Sequence, residues 1–193
     1  MLHLFKKQNY ISFFQDVDAI HAMPTDNGDE WYGYIPKQYP FEDIIEHLPA
    51  NAKVVDLGCG FCENLLYLGS LLENPELHGV EFNSDYYNDV SPLVTEHNLP
   101  ITLHNENILN HDISSYDIIY TFCPAKTDTN YQAYTDYILQ NMKDDAVWIE
   151  AHKYCPGEEN SETVDNAISR YSGEVTKLYE DSEDNGLLVI IKK

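Results

Sequence analysis

The stretch Lys53-Val-Val-Asp-Leu-Gly-Cys-Gly-Phe-Cys-Glu-Asn-Leu-Leu-Tyr-Leu-Gly69 decides the fold that we predict for this chain. A short apolar run ends in an acid at Asp56, the chain turns at Gly58 and Gly60, and leucines then recur at helical spacing. The pattern predicts a buried strand, a glycine turn and a helix. Such a turn lets a ligand approach the backbone and the free N–H groups at the helix N-terminus, although a tight connection without a ligand is the alternative.

Short apolar runs and helical patterns alternate after this stretch, which predicts a parallel sheet covered on both faces. The predicted strands are Lys53–Leu57, Leu77–Glu81, Ile101–His104, Asp117–Phe122, Ala146–Ala151, Glu174–Glu180 and Leu187–Lys192. Helices are predicted at Pro40–Leu48, Cys62–Leu72, Asp85–Glu96, Asn130–Met142 and Ser161–Tyr171. The last two strands are joined by a short turn and must be antiparallel. The fold class is therefore α/β, a Rossmann-like seven-stranded sheet with five parallel strands, a C-terminal antiparallel hairpin and helices on both faces.

Residues 1–39 are predicted to form a segment that precedes the core at 40–193. An amphipathic helix is predicted at Gln8–Met23, and the aromatic cluster Trp31–Tyr34 is interpreted either as a lid over a ligand or as a packing anchor. The sequence has no signal-peptide pattern and no apolar run near the roughly 18 residues of a membrane span. We therefore expect a cytoplasmic protein with no membrane partner.

The chain is strongly acidic, with 33 Asp and Glu against 11 Lys and Arg and a formal net charge of −22. No Lys or Arg lies between Val54 and Ala125. A protein that binds nucleic acid neutralises phosphates with basic residues, so we expect no nucleic-acid partner. Neutral or cationic partners, including a basic protein, suit this charge better, and a role in solubility is an equal alternative.

The cysteines and histidines bear on redox and metal chemistry. Cys59 and Cys62 have the spacing of a thioredoxin-like redox pair, but two free thiols are favoured because the predicted order of strands and helices is not that of a thioredoxin. The eight histidines are interpreted as scattered, without the spacing of metal ligands, so no metal site is expected.

Glu81 ends the second predicted strand, 21 residues after Gly60. An acid at this place in a dinucleotide-type fold accepts hydrogen bonds from ribose hydroxyls, and a solvated acid at a strand end is the alternative. Phe82 follows directly and could lie against a flat heterocycle.

The residues that carry a family resemblance are Val54-Val-Asp-Leu-Gly-Cys-Gly60, Glu63-Asn64, Glu81, Asn105-Glu-Asn107 and Tyr116-Asp-Ile-Ile-Tyr-Thr-Phe122. In these residues the chain resembles the class I S-adenosylmethionine-dependent methyltransferases. The resemblance covers roughly residues 40–193 and implies S-adenosylmethionine as the cofactor. It implies that Asp56 orients the methionine amino group and that Glu81 holds the ribose.

The same resemblance assigns the remaining cofactor contacts. Gly58 and Gly60 would leave room for the cofactor beside the backbone. Asn107, with Ile108 beside it, would meet the adenine through an amide oxygen that accepts from the adenine amino group. Thr121 and Phe122 would border the methionine part and the methyl group.

Two departures from the family pattern bear on affinity and substrate. Cys62 stands where a third glycine is expected, and Thr121-Phe-Cys-Pro124 lacks the Asp/Asn-Pro-Pro-aromatic motif of enzymes that methylate base amino groups. If the acceptor must lose a proton, Glu150 and His152 are the candidate bases, although a structural role is favoured for each.

The predicted function is methyl transfer to a protein side chain or a small molecule. The alternative is a non-catalytic acidic protein on the same fold that binds a basic partner, with possible mimicry of nucleic acid.

Overall fold

The computed structural model describes residues 16, 41–122, 128–151, 166–180 and 187–192. The predictions for the helix at Gln8–Met23 apart from Asp16, for the aromatic segment Trp31–Tyr34, for Cys123-Pro124 and for His152 lie outside the described residues.

Seven strands form one sheet in the order β3-β2-β1-β4-β5-β7-β6. The strands are β1 Lys53–Leu57, β2 Glu76–Val80, β3 Ile101–His104, β4 Ile118–Phe122, β5 Val147–Ala151, β6 Val175–Glu180 and β7 Leu187–Lys192. Strands β1 to β5 are parallel, while β7 is antiparallel to both β5 and β6. The predicted sheet and its C-terminal hairpin are thus confirmed, with strand ends shifted by one residue at most.

The helices also follow the prediction closely. They are α1 Phe41–Ile44, α2 Glu63–Leu71, α3 Ser84–Glu96 and α4 Asp128–Asn141, with 3₁₀ turns at Ile45–His47 and Ile108–Asn110 and a helical segment at 166–170. The predicted Pro40–Leu48 helix is therefore a short helix followed by a 3₁₀ turn. In the described part of the chain, no helix is long and apolar enough to cross a membrane.

The central strands β1, β4 and β5 are buried on both faces of the sheet: successive side chains of a strand point to opposite sides, and nearly all of those in these strands are buried. Val54 of β1 belongs to a core that includes residues of α1, α2 and α3. Val55 and Leu57 belong to a second core that includes residues of α4. Continuous apolar runs such as Val54-Val55 therefore fit central strands of a covered parallel sheet.

The connection from β3 to β4 contains little helical structure. The described residues 105–117 link β3 to β4 and contain only the 3₁₀ turn Ile108–Asn110. Ile108, Ile113 and Tyr116 in this connection pack into the second core beside Val80. The connection thus helps to cover the β2–β3 edge of that face.

Candidate functional site

The glycine turn joins β1 to α2 and is held against the end of β2. The backbone N–H groups of Gly58 and Cys59 both donate to the carbonyl oxygen of Val80, at 2.8 and 3.0 Å. Gly58 and Gly60 have φ angles of +88° and +48°, which glycine adopts without steric cost. A Cβ atom placed on Gly60 would meet nothing within 4 Å, so the space beside this backbone is open.

Glu81 follows β2 directly and its side chain reaches the glycine turn. One carboxylate oxygen accepts from the Gly60 N–H at 2.9 Å, and the other accepts from the Asn83 N–H at 2.6 Å. A carboxylate has about four acceptor sites, so each oxygen keeps capacity for a further donor. The structure therefore brings together the acid and the turn that the sequence pattern paired.

Asp56 lies at the carboxyl end of β1 and is only 2% exposed. Burial, together with the nearby Glu81 carboxylate, raises the pKa of Asp56 well above its ordinary value. Among the described residues, we find no side chain or N–H group that donates a hydrogen bond to the Asp56 carboxylate. A positively charged group beside Asp56 would favour its ionised form and would offset the effects of burial and of the Glu81 charge.

Cys62 occupies the position where a third glycine was expected, and helix α2 begins directly after it. Cys62 is buried in the first core and has a φ of +63°, a left-handed conformation that costs a non-glycine residue about 1 kcal/mol or more. On the first turn of α2, the amide oxygen of Asn64 is buried without a hydrogen-bond donor among the described residues. An orphaned acceptor of this kind next to a glycine turn fits a ligand with N–H donors.

The predicted adenine contacts lie at the exit of β3 and differ in exposure. Asn107 is exposed, and its amide oxygen already accepts from the Leu109 N–H at 2.9 Å, which leaves one lone pair for a ligand. Ile108 begins the 3₁₀ turn that follows Asn107, and its side chain packs into the second core. Phe82 is 70% exposed and offers a free aromatic face next to Glu81.

The predicted methyl-group contacts at the end of β4 are less accessible. Thr121 is fully buried, and its hydroxyl donates to Glu150 and accepts from the Trp148 indole N–H at 2.8 Å. Its hydroxyl is therefore committed inside the protein, which does not support a direct contact with the cofactor. Phe122 is half-buried and packs against the first core.

Glu150 lies on β5 within a closed group of polar side chains beneath α4. Besides the hydrogen bond from Thr121, its carboxylate accepts from the hydroxyls of Tyr131, at 2.6 Å, and Tyr134, at 3.1 Å. Burial raises the pKa of Glu150 to about 7, although hydrogen bonds from these partners oppose the rise. The Glu150 carboxylate is fully buried, so a methyl acceptor could not reach it from solvent. The arrangement therefore does not support Glu150 as a base that contacts a substrate.

Sequence reasoning missed a histidine cluster at the β2–β3 edge, which we define as His78, His104, Glu106 and His111. Ligand atoms of the last three lie within 4.8 Å of one another. Burial and the neighbouring histidines lower the pKa of His104. The expectation that the histidines are scattered is wrong for this group, and the sequence signal was the spacing His104-x-Glu106-x₄-His111.

Comparison with known proteins shows similarity at the level of structure. The sequence matches no family model and no curated protein sequence. The PH0226 protein from Pyrococcus horikoshii OT3 superposes with a TM-score of 0.68 and 14% identity, over 91% of this chain and 99% of that one.

Two further structurally similar proteins are methyltransferases. A TehB-like SAM-dependent methyltransferase from Corynebacterium glutamicum has a TM-score of 0.59 and 14% identity, over 96% of this chain and 97% of its own. A geranyl diphosphate C-methyltransferase from Streptomyces coelicolor, solved with S-adenosyl-L-homocysteine, has a TM-score of 0.54 and 11% identity, over 79% and 76% of the two chains. At these identities, the likeness establishes the fold.

Proposed function

We propose that this chain, which has the fold of the class I S-adenosylmethionine-dependent methyltransferases, binds S-adenosylmethionine and transfers its methyl group to a protein side chain or a small molecule. The observation that carries the proposal is the pair of buried carboxylates, Asp56 and Glu81, at an open glycine turn. Residues 54–125, which supply the turn and both acids, contain no Lys or Arg. A ligand with positive charge would relieve the repulsion between the two acids.

The described residues fit this cofactor in three respects. The open space beside Gly60 admits a ligand next to the backbone. The orphaned amide oxygen of Asn64 can accept from an ammonium group, and the exposed ring of Phe82 can cover a flat base. The structurally similar methyltransferase from Streptomyces coelicolor was solved with S-adenosyl-L-homocysteine, which supports the same ligand class here.

When bound, S-adenosylmethionine supplies a methyl group on a positively charged sulfonium. In this proposal Asp56 binds the ammonium of the methionine part, and Glu81 accepts hydrogen bonds from the ribose hydroxyls while it keeps its bond to the Gly60 N–H. These contacts position the methyl group for in-line attack, which is the main requirement when the acceptor is already a good nucleophile. The net charge of −22 favours a neutral or cationic acceptor over an anionic one.

Two ligands that differ in one part test the binding half of the proposal. S-adenosylhomocysteine carries the amino acid part, whereas 5′-methylthioadenosine has the same adenosine without it. Measured by calorimetry, Asp56→Asn should weaken the binding of S-adenosylhomocysteine about tenfold or more and change the binding of 5′-methylthioadenosine little. The reason is that only S-adenosylhomocysteine makes a charge-assisted contact with Asp56 that the variant would lose. Glu81→Gln should weaken both ligands, since both contain the ribose.

The exposed acid Glu73 gives a matched control, because Glu73→Gln changes net charge by the same amount and Glu73 lies just beyond the C-terminal end of α2, the end opposite to the glycine turn. Equal binding of both ligands by all variants, or no binding by the wild-type chain, would refute the assignment of the site. Transfer of labelled methyl groups to a panel of neutral, basic and acidic acceptors then tests the reaction. We expect products from neutral or basic acceptors.

A further inference from the structure

We propose that His104, Glu106 and His111 bind a divalent transition-metal ion of the zinc class. The site lies where β3 ends and the connection to β4 begins. Its side chains lie on the face of the sheet that carries Val80 and Tyr116, because His104 pairs in register with Val80. The inference is independent of the proposed methyl transfer.

The distances between the donor atoms suit a small ion. Glu106 Oε1 lies 3.9 Å from His104 Nδ1 and 2.8 Å from His111 Nδ1, whose N–H donates it a hydrogen bond that a metal ion would replace. Tetrahedral zinc with bonds of about 2.0 to 2.2 Å places its ligand atoms about 3.3 Å apart. The 3.9 Å between Glu106 Oε1 and His104 Nδ1 lies about half an ångström beyond this separation, and both of these side chains are partly exposed and can shift toward an ion.

Hydrogen bonds at the far side of both rings orient them for metal binding. His104 Nε2 lies 3.1 Å from His78 Nδ1, and His78 Nε2 lies 2.7 Å from Glu76 Oε1. His111 Nε2 lies 2.9 Å from the Tyr116 hydroxyl. A metal-binding histidine characteristically has a hydrogen-bond partner at its other ring nitrogen, which fixes the ring and its tautomer.

The proton positions implied by these hydrogen bonds leave His104 Nδ1 without a proton and with a lone pair available for a metal ion. A neutral His78 donates through Nε2 to the Glu76 carboxylate, so its Nδ1 accepts from the Nε2–H of His104. The Nδ1 lone pair of His104 then faces Glu106 at a distance too long for a hydrogen bond. Two electron-rich atoms that face each other in this way are stabilised by a cation between them.

The ligand types indicate which ion binds. Two imidazoles with one carboxylate suit zinc and its neighbours in the first transition row, whereas magnesium and calcium prefer oxygen ligands. Three protein ligands leave one position of a tetrahedral ion open for water. Such an ion would join the end of β3 to both sides of the 3₁₀ turn Ile108–Asn110 and hold the connection that contains Asn107.

Calorimetry with Zn²⁺ and with Mg²⁺ tests the proposal on the full chain. We expect one Zn²⁺ per chain, and about tenfold or greater weakening in each of His104→Gln, Glu106→Gln and His111→Gln. Glu76→Gln, which removes the carboxylate partner of His78 and an ion pair with Lys53 at 3.8 Å, should weaken Zn²⁺ binding about tenfold. His47→Gln is the matched control, because His47 lies beside Glu46 as a histidine–glutamate pair that has no third metal ligand among the described residues. This variant should bind Zn²⁺ as the wild type does.

Cobalt gives a second readout, because Co²⁺ in a tetrahedral site with nitrogen ligands has intense visible absorption bands that the three ligand variants should lose. Circular dichroism shows whether each variant is folded, and Glu106→Gln changes a side chain that is already 39% exposed. Absence of Zn²⁺ binding by the wild-type chain would overturn the proposal. Binding that survives unchanged in folded Glu106→Gln and His104→Gln, or equal affinity for Mg²⁺, would also overturn it.

Discussion

Glu150 should make the stability of this protein depend on pH in a direction opposite to that of most carboxylates. Burial raises the pKa of Glu150 to about 7, from an ordinary value of 4.5. Between these two values the folded protein holds a proton that the unfolded chain has released. The free energy of unfolding should therefore fall as pH rises through this window, and the gap between the two pKa values corresponds to about 3 kcal/mol.

Glu150→Gln isolates this contribution, because the amide is similar in shape to the protonated acid and does not titrate. Its oxygen can accept from Tyr131, and its amino group can donate to Thr121. The second N–H of the amide has no obvious acceptor and costs about 1 to 2 kcal/mol at every pH. The informative quantity is therefore the change with pH, not the stability at one pH.

Urea unfolding of wild type and Glu150→Gln over about pH 4 to 8 measures the effect. The variant should gain about 3 kcal/mol relative to wild type across the range. Glu73→Gln, at an exposed position, gives the baseline for removal of one carboxylate. A difference between wild type and Glu150→Gln that stays constant from acid to alkaline pH would refute the assignment of the raised pKa to this side chain.

Two further predictions concern the glycine turn. Gly60→Ala should cost only about 1 kcal/mol of unfolding free energy, because its φ is +48° but no protein atom would meet the new Cβ. The loss of binding free energy for S-adenosylhomocysteine should be larger than this loss of stability, since the Cβ enters the space assigned to the ligand. Unchanged affinity by calorimetry would contradict the placement of the ligand beside Gly60. Binding of S-adenosylhomocysteine should also release protons at a pH where free Asp56 is partly protonated, because the ligand ammonium favours the ionised acid. Binding enthalpies measured in buffers of different ionisation heat should then differ for wild type and agree for Asp56→Asn, and agreement for both would contradict the contact.

The order of strands and helices could be predicted because it depends on local patterns. Apolar runs of about five residues and leucines at helical spacing are visible in the sequence, and β1 has the predicted bounds. Glu81 and Gly60 could be paired for a similar reason, since a parallel sheet places the ends of neighbouring strands at the same edge. Few other contacts could be predicted in this way, because most of them depend on the face of the sheet or helix on which each side chain lies.

The environment of Glu150 could not be predicted, because it depends on contacts between separate elements. Tyr131 and Tyr134 come from α4, and only the packing of that helix on β4 and β5 brings their hydroxyls to the carboxylate. The histidine cluster is an intermediate case. The three proposed ligands lie within eight residues, but only the end of β3 and the following turn direct His104 and His111 toward the same point.

Asp56 and Glu150 show why a raised pKa alone does not mark a functional site. Burial raises the pKa of both carboxylates, and both lie near the carboxyl ends of parallel strands. Glu150 accepts hydrogen bonds from three hydroxyl groups of the protein, whereas no described group donates to Asp56. An acid whose bonding capacity is filled from within has little to gain from a ligand. The unfilled acid beside an open glycine turn gains a partner when a cation binds, so hydrogen-bond satisfaction, and not burial, separates the candidate site from the core.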